Sequence, residues 1–127
     1  MADARYLLDS NICIYLLKGL SARLAERVAQ QAEETLFVSS VSLAEIAVGF
    51  GGAVFDSPAL SGFLSEVPAL AFTERAAMFY GTLPFKRARF DRLIAAHALS
   101  ERLILVTNNE SDFTDVPGLK VENWALE

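Results

Sequence analysis

Four acidic residues stand where an apolar segment of the chain meets a polar one. They occur in the strings LLDSNICIYLL, SVSLAEIAVGF, FDRLIAAHAL and VTNNESDF, as Asp9, Glu45, Asp91 and Asp112. If the apolar segments that precede Asp9 and Asp112 are parallel strands, their carboxyl ends open on one crevice, which is where open α/β sheets bind ligands. Carboxylates that converge there repel one another, and either raised pKa values or a divalent cation relieves the repulsion. The four acids therefore predict one shared, strongly anionic site.

The available ligand types indicate which cation such a site would take. Carboxylate oxygens favour Mg2+ or Mn2+. The chain has one cysteine and one histidine, so it lacks the thiolate pair or second imidazole that a zinc or iron site would need. A hard divalent cation lowers the pKa of a bound water molecule and stabilises charge on a phosphate. The residues thus favour a Mg2+ or Mn2+ phosphodiesterase site.

Each acid also has a purely structural interpretation. Asp9 and Asp91 could cap the helices that follow them. Ser42 and Glu45 have the spacing of a capping box, and Asp112 could be a turn residue in a polar loop. Taken one at a time, these residues leave both interpretations open.

Other polar residues have positions that suit a supporting role or a place in the core. Thr107 and Asn108 follow a predicted buried strand beside the cleft, where neutral polar groups could orient a metal-bound water molecule, and Asn11 is a candidate hydrogen-bonding partner for the first carboxylate, Asp9. A simple turn after the strand is the alternative for Thr107 and Asn108. His97 and Cys13 are expected to pack in the interior rather than to bind a ligand.

Strand-like and helix-like patterns alternate along the chain. The predicted strands are residues 5–8, 35–38, 68–72, 103–106 and 119–122; the predicted helices are 10–18, 21–32, 43–50 and 92–100, with others beginning near 57 and 73. This alternation predicts an α/β fold of three α/β/α layers around a central parallel sheet.

Length and composition restrict the class of protein. With 127 residues, of which 53% are hydrophobic, the chain can bury one core, and we expect a single domain over residues 1–127. The longest apolar run, residues 12–17, is too short to span a bilayer, and the start of the chain lacks a signal-peptide pattern. We therefore expect a cytoplasmic protein with no membrane partner.

One basic segment contrasts with a net charge of -5. Residues 84–92 hold four basic residues against one acidic residue, Asp91. Lys86, Arg87 and Arg89 could hold phosphate groups beside that acid. The alternative is a solvated helix end.

Several strings taken together resemble the PIN domain family, specifically its VapC-type toxin ribonucleases. The resemblance rests on LLDSNICIYLLKG, SVSLAEIAVGF, DRLIAAHALSERLILVTNN and DFTDVPGLKVENW, in this order and over almost the whole chain. It implies a PIN-like domain and a metal-dependent endoribonuclease that inhibits translation and growth, whose acids fall on Asp9, Glu45, Asp91 and Asp112. Phe90 replaces an asparagine that is frequent before the third acid, and the fourth acid is Asp112 instead of glutamate. Neither difference removes a carboxylate.

The resemblance also implies partners. A VapB-type antitoxin would block the RNA-cleaving site, in a hetero-oligomer built on a toxin homodimer, and operator DNA would be bound only through the antitoxin. The apolar side chains of residues 12–17 point in every direction around their helix. This helix must therefore be buried on more than one side. We expect the antitoxin groove near Tyr15, Leu16, Leu20, Leu24 and Val28.

Two other classes of protein remain as alternatives. A receiver-type phosphoacceptor domain has a similar length and an acid cluster, but Asp9 has no acidic neighbour and the second predicted strand leads into Ser39 and Ser40. A binding module without catalytic activity is the other alternative. Failure of the purified protein to bind a metal ion would favour it.

Overall fold

The computed structural model describes residues 4–84 and 90–125. Its centre is a parallel sheet of five strands in the order β3-β2-β1-β4-β5. The strands are β1 (Tyr6–Leu8), β2 (Leu36–Ser39), β3 (Ala69–Leu70), β4 (Ile104–Val106) and β5 (Val121–Glu122). The predicted parallel α/β sheet is confirmed, although each end strand has only two residues.

Six α-helices connect these strands in the described part of the chain. They are α1 (Ser10–Lys18), α2 (Ala22–Ala29), α3 (Ser40–Val48), α4 (Pro58–Glu66), α5 (Glu74–Tyr80) and α6 (Phe90–Glu101). Two 3₁₀ helices, Gly51–Asp56 and Glu110–Phe113, lie after α3 and after β4.

The helix starts follow from their capping side chains. Ser21, Ser57 and Thr73 each accept a hydrogen bond from a backbone N–H in the first turn of α2, α4 or α5, as the sequence predicts. The predicted start of the third helix, at residue 43, is wrong. Ser39, the last residue of β2, accepts a hydrogen bond from the Val41 amide at 3.1 Å, so α3 begins at Ser40.

The alternative of a capping box at Ser42 and Glu45 is also wrong. Ser42 lies inside α3, fully buried, and its hydroxyl has no hydrogen-bond partner in the described residues. Glu45 is therefore a mid-helix residue, and its carboxylate is not needed to begin the helix.

Strand register places the first candidate acid at the carboxyl edge of the sheet. Leu8 is level with Val38 on one side and with Val106 on the other. The Asp9 amide donates to the Val106 carbonyl at 2.9 Å. The residues that directly follow β1, β2 and β4 are thus brought side by side.

The core lies on both faces of the sheet, because successive strand residues point to opposite sides. Leu8 and Val106 pack with α1, α2, α3 and α4, whereas Leu7 and Leu105 pack with α6 and with Phe113. Helices therefore cover both faces, which confirms the three-layer prediction. In the part of the chain that the structure describes, no helix is long and apolar enough to cross a membrane.

His97 and Cys13 are core residues, as predicted. His97 is fully buried on α6, its Nδ1 lies 2.8 Å from the Ser39 hydroxyl, and its ring meets Phe72 edge to face. Burial lowers the pKa of His97. Cys13 is fully buried as well, and burial raises the pKa of its thiol.

Arg92 ties α6 to the segment that carries Asp112. Its Nη2 lies 2.8 Å from one carboxylate oxygen of Asp115 and 3.0 Å from the other, and it donates to the Asp112 carbonyl at 3.3 Å. The side chain is 4% exposed, against 32% for Asp115. This arginine of the basic segment is thus a structural residue and is not available to phosphate groups.

We predict that Arg92→Ala lowers the free energy of unfolding by about 3 kcal/mol, because it breaks a buried ion pair. The value is near the lower end for such pairs, since the side chain of Asp115 is partly in water. Urea denaturation measures this change. Arg23→Ala removes an exposed cation of α2 and should alter the same quantity by less than about 0.5 kcal/mol. Equal, small effects of the two substitutions would contradict the anchoring role of Arg92.

Candidate active site

One cavity at the carboxyl edge of the sheet contains all four candidate acids. It measures about 350 Å³ and is lined by Asp9, Ser10, Asn11, Glu45, Phe90, Asp91, Asn109, Asp112 and Phe113. Asp9 directly follows β1, Glu45 lies on α3, Asp91 on α6, and Asp112 on the second 3₁₀ helix. Residues that are up to 103 positions apart along the chain therefore face the same space.

Asp9 is the most buried of the four acids, with 8% of its surface exposed. One carboxylate oxygen accepts a hydrogen bond from the Ser10 amide at 2.8 Å and the other accepts from the Thr107 hydroxyl at 2.8 Å. Asp9 is therefore the N-cap of α1 and a residue of the cavity at once. The capping interpretation and the site interpretation do not exclude each other.

The pKa of Asp9 is raised above its ordinary value, chiefly because burial disfavours the charged form. The hydrogen bonds from Thr107 and Ser10 oppose this rise, and the negative charges of Glu45 and Asp91 add to it. The like-charge repulsion expected of converging carboxylates is thus present at Asp9.

Hydrogen bonds also orient the other acids. Ser10 Oγ donates to Glu45 Oε1 at 2.6 Å, which joins the start of α1 to the middle of α3. Asp91 Oδ1 accepts from the Arg92 amide at 2.9 Å. Asp112 Oδ2 accepts from the side-chain amide of Asn109.

The three candidate supporting residues occupy different positions. Thr107 is fully buried, donates to Asp9 and accepts from the Asn109 amide at 3.1 Å. Asn11 is exposed and lines the cavity. Asn108 does not line it, and its side-chain oxygen is buried with no hydrogen-bond partner in the described residues.

Sequence reasoning missed two polar residues of the site, Ser10 and Asn109. Each stands next to a residue that was singled out: Ser10 follows Asp9, and Asn109 follows Asn108. A hydroxyl directly after the first acid, and the second asparagine of the TNN string, were the available signals. These sequence signals do not indicate which acid Ser10 or Asn109 contacts.

The predicted phosphate-binding cations, Lys86, Arg87 and Arg89, lie outside the described residues. None of the residues lining the cavity is basic in the part of the chain that is described. The described part of the cavity wall therefore carries negative charge without a compensating cation.

The residues fit a hard divalent cation by their chemistry. Every charged group in the lining is a carboxylate, and oxygen ligands are those that Mg2+ and Mn2+ prefer. Within residues 4–84 and 90–125, no three acidic, histidine or cysteine side chains stand close enough together to form a complete ligand set. The four acids share a cavity, Asp9 interacts electrostatically with Glu45 and Asp91, and a cation would have to draw the acids closer.

The predicted antitoxin groove is only partly accessible. Leu16 and Val28 line a second cavity of about 660 Å³ between α1, α2 and the end of α4, bordered by Glu33, Glu34 and Glu66. Leu20 is 61% exposed, and Tyr15 is half-buried against the core. Leu24 does not fit the prediction, because it is fully buried and offers no surface to a partner.

Comparisons with known proteins agree with this fold. The model of the PIN domain family matches residues 6–119. A relative from Shigella flexneri, named tRNA(fMet)-specific endonuclease VapC, is 34% identical, with 95% of this chain and 98% of that protein covered. Ribonuclease VapC2 from Haemophilus influenzae is 33% identical, with 94% of this chain and 98% of that protein covered.

Solved structures give the same result. The crystal structure of VapBC2 from Rickettsia felis bound to a DNA fragment from its promoter superposes with a TM-score of 0.81 at 30% identity, covering 94% of this chain and 98% of that chain. DNA-bound VapBC from Salmonella typhimurium superposes with a TM-score of 0.79 at 28% identity, covering 96% and 99%.

The parallel sheet with an acid-lined crevice at its carboxyl edge is the structure of a nuclease domain, the class to which the matching family model belongs. The chain therefore belongs to the PIN domain family, and within it to the VapC toxin ribonucleases. The resemblance stated from the sequence is confirmed, and RNA-cleaving hydrolase activity follows from it. The receiver-type alternative fails on topology as well, because receiver domains have the strand order 2-1-3-4-5 and this sheet has 3-2-1-4-5.

We predict that Asp9→Asn raises the free energy of unfolding of metal-free protein at neutral pH. Since the pKa of Asp9 is raised in the folded protein, the folded state binds that proton more tightly than the unfolded chain does. Ionised Asp9 therefore destabilises the fold above its folded pKa; this effect diminishes as the pH falls through that value and is absent below the unfolded pKa. Thermal melts in a chelator at neutral and acidic pH should show a stabilisation that disappears in acid.

Asp56→Asn is the matched control for this prediction, because Asp56 is an exposed aspartate outside the cavity. It should leave the pH dependence of the melting temperature unchanged. A lower melting temperature for Asp9→Asn than for wild type at neutral pH would show that capping by the carboxylate, and not its repulsion by neighbours, dominates its energetics.

Proposed function

We propose that the chain is a metal-dependent endoribonuclease that hydrolyses RNA phosphodiester bonds, inhibits translation and growth, and is the toxin of a VapBC-type toxin-antitoxin pair. It would act in the cytoplasm as a single ribonuclease domain over residues 1–127, with Mg2+ or Mn2+ as cofactor. The observation that carries this proposal is the single cavity lined by Asp9, Glu45, Asp91 and Asp112.

The four acids divide between holding the cation and completing the site. Asp9, Asp91 and Asp112 would hold one or two ions, with Glu45 as the remaining acid of the set. The bound cation would lower the pKa of a water molecule and neutralise charge on the scissile phosphate. Attack by water with cleavage of the bond between phosphorus and the 3′-oxygen would leave a 3′-hydroxyl, which takes up a proton, and a 5′-phosphate, with no cyclic phosphate because the 2′-hydroxyl does not attack.

Neighbouring residues would keep these carboxylates in place. Thr107 holds Asp9 at 2.8 Å and Ser10 holds Glu45 at 2.6 Å. Both hydroxyls donate to charged oxygens, which are among the stronger hydrogen bonds in proteins. Asn11, on the exposed wall of the cavity, would be a hydrogen-bonding partner for Asp9, and Thr107 and Asn108, at the end of β4, would help to orient a water molecule bound to the cation.

Positive charge must come from elsewhere to bring RNA to this anionic cavity. Lys86, Arg87 and Arg89 precede Asp91 by at most five positions, and we propose that they hold the RNA backbone. Their contribution would depend strongly on salt, because each phosphate contact releases condensed counterions.

The proposed partner is a VapB-type antitoxin. Two of the structural relatives are VapBC assemblies bound to DNA, so we propose a homodimer that joins antitoxin in a hetero-oligomer, with operator DNA bound only through the antitoxin. Leu16 and Val28 in the larger cavity, with the exposed Leu20, would receive an apolar antitoxin segment. A helix in a groove of this kind is a common mode of recognition.

Asp91→Asn tests the proposed chemistry. We predict that it abolishes RNA cleavage and growth inhibition while the protein stays folded, because it removes a cation ligand and also relieves repulsion in the cavity. Cleavage of total RNA with Mg2+ or Mn2+, followed by sequencing of fragment ends, measures the activity, the cut position and the end chemistry together.

Glu74→Gln is the matched control, since it neutralises an exposed acid on α5 outside the cavity and should cleave RNA as wild type does. Undiminished cleavage by Asp91→Asn at equal protein concentration would reject the proposed site. Fragments ending in a cyclic phosphate would reject water as the nucleophile.

The antitoxin surface is tested by Leu16→Asp. A charge in place of this apolar side chain should weaken antitoxin binding by about tenfold or more, because burying an uncompensated charge at an interface costs several kcal/mol. Calorimetry of the purified pair measures this, with circular dichroism to establish folding. Met78→Asp, at a 67% exposed apolar position on α5, is the control. Wild-type affinity in a folded Leu16→Asp protein would place the groove elsewhere.

A further inference from the structure

One aromatic ring stands open at the rim of the acid-lined cavity. Phe90 is the first residue of α6 and is 52% exposed, yet it lines the same cavity as the four acids. Phe113, the other aromatic residue in the lining, is 4% exposed and belongs to the core beneath α6. The two rings thus differ in kind: the ring of Phe113 packs inside the domain, and that of Phe90 meets water at the cavity mouth.

Among the described residues, no core packing calls for an aromatic residue at position 90. Phe90 belongs to neither hydrophobic cluster of the core. Within residues 4–84 and 90–125, no other aromatic ring or arginine side chain stacks on it. A large apolar group that remains half in water does little for stability, so its role is better sought in what enters the cavity.

The position of Phe90 suits one component of an RNA substrate. Phe90 directly precedes Asp91, and both residues line the cavity. RNA that places a phosphate among these acids must place the adjoining sugar and base within a few ångströms of the cavity rim. Bases have an aromatic face that stacks on phenylalanine, whereas phosphates and riboses do not.

We propose that Phe90 is a substrate-binding residue that stacks on an unpaired base next to the scissile phosphate. A base within a duplex is already stacked on both faces, and only an unpaired base can turn onto the ring. This inference rests on the proposed ribonuclease function and adds the residue that holds a base beside the cut.

The test separates stacking from apolar contact and from chemistry. The Asp9→Asn protein serves as a cleavage-deficient parent, and its affinity for a fluorescent single-stranded RNA of about eight nucleotides, within the usual range of site sizes, is measured by anisotropy. Adding Phe90→Ala should weaken binding about 5- to 100-fold, the equivalent of losing one stacked base. Phe90→Tyr should retain the affinity, and Phe90→Leu should lose it, because leucine is apolar but has no aromatic face.

Abasic substitution in the RNA locates the stacked base. With Phe90 present, removing the base at one position should weaken binding by a similar factor, and with Phe90→Ala that penalty should disappear. Phe55→Ala is the matched control, because Phe55 is 95% exposed and lies outside the cavity; both its affinity and its abasic profile should match those of the parent.

Three results would overturn the inference. Parental affinity in Phe90→Ala, with RNA cleavage intact when Asp9 is restored, would reject stacking and leave the ribonuclease function standing. Parental affinity in Phe90→Leu would replace stacking by simple apolar contact. If the protein with Asp9 and Phe90 intact neither binds nor cleaves RNA, the proposed function falls and this inference falls with it.

Discussion

Repulsion among carboxylates at one edge of the sheet is the constraint on which the rest of the structure depends. Asp9 is nearly buried, its pKa is raised, and the charges of Glu45 and Asp91 contribute to that rise. A fold that served stability alone would separate these groups or pair each with a cation. Instead, Thr107 and Ser10 hold two of the acids with their charges facing the same cavity.

Backbone geometry accounts for how this arrangement is maintained. The parallel register of β1 with β4 sets Asp9 beside Thr107, and the short step from β2 into α3 places Glu45 across from Ser10. Arg92, buried beneath the site, fixes the segment that carries Asp112 through Asp115 and a backbone carbonyl. The acids are thus held by strand ends, by helices α3 and α6 and by the ion pair of Arg92 with Asp115, as preorganised sites require.

Much of the fold and of the candidate site could be predicted from the sequence. The features that could not be predicted depend on contacts that local sequence patterns do not show. Hydrophobic periodicity and capping residues predict the strands and most helices, and α1 has the predicted bounds. The start of α3 was misplaced because Ser39 and Ser42 are equally good caps locally, and only the end of β2 selects between them. The prediction of Leu24 as a groove residue is wrong because hydrophobic periodicity does not indicate whether an apolar helix face packs on the core or binds another protein. The contact of Ser10 with Glu45 and the burial of Arg92 depend on distant segments of the chain, and the contact of Asn109 with Asp112 depends on a 3₁₀ helix that hydrophobic periodicity does not predict.

The claim that the four acids form one cation site is tested most directly by calorimetric titration of purified protein with Mn2+ in the absence of RNA. Wild type should show saturable binding of Mn2+, and Asp9→Asn should bind the ion at least about tenfold more weakly. Mutating a residue that only hydrogen-bonds a metal ligand already lowers metal affinity by about tenfold or more. The exposed-site variant Glu74→Gln should bind as wild type does. Equal Mn2+ affinity in wild type and in folded Asp9→Asn would contradict the account, because the most buried carboxylate of the cavity would then take no part in holding the cation.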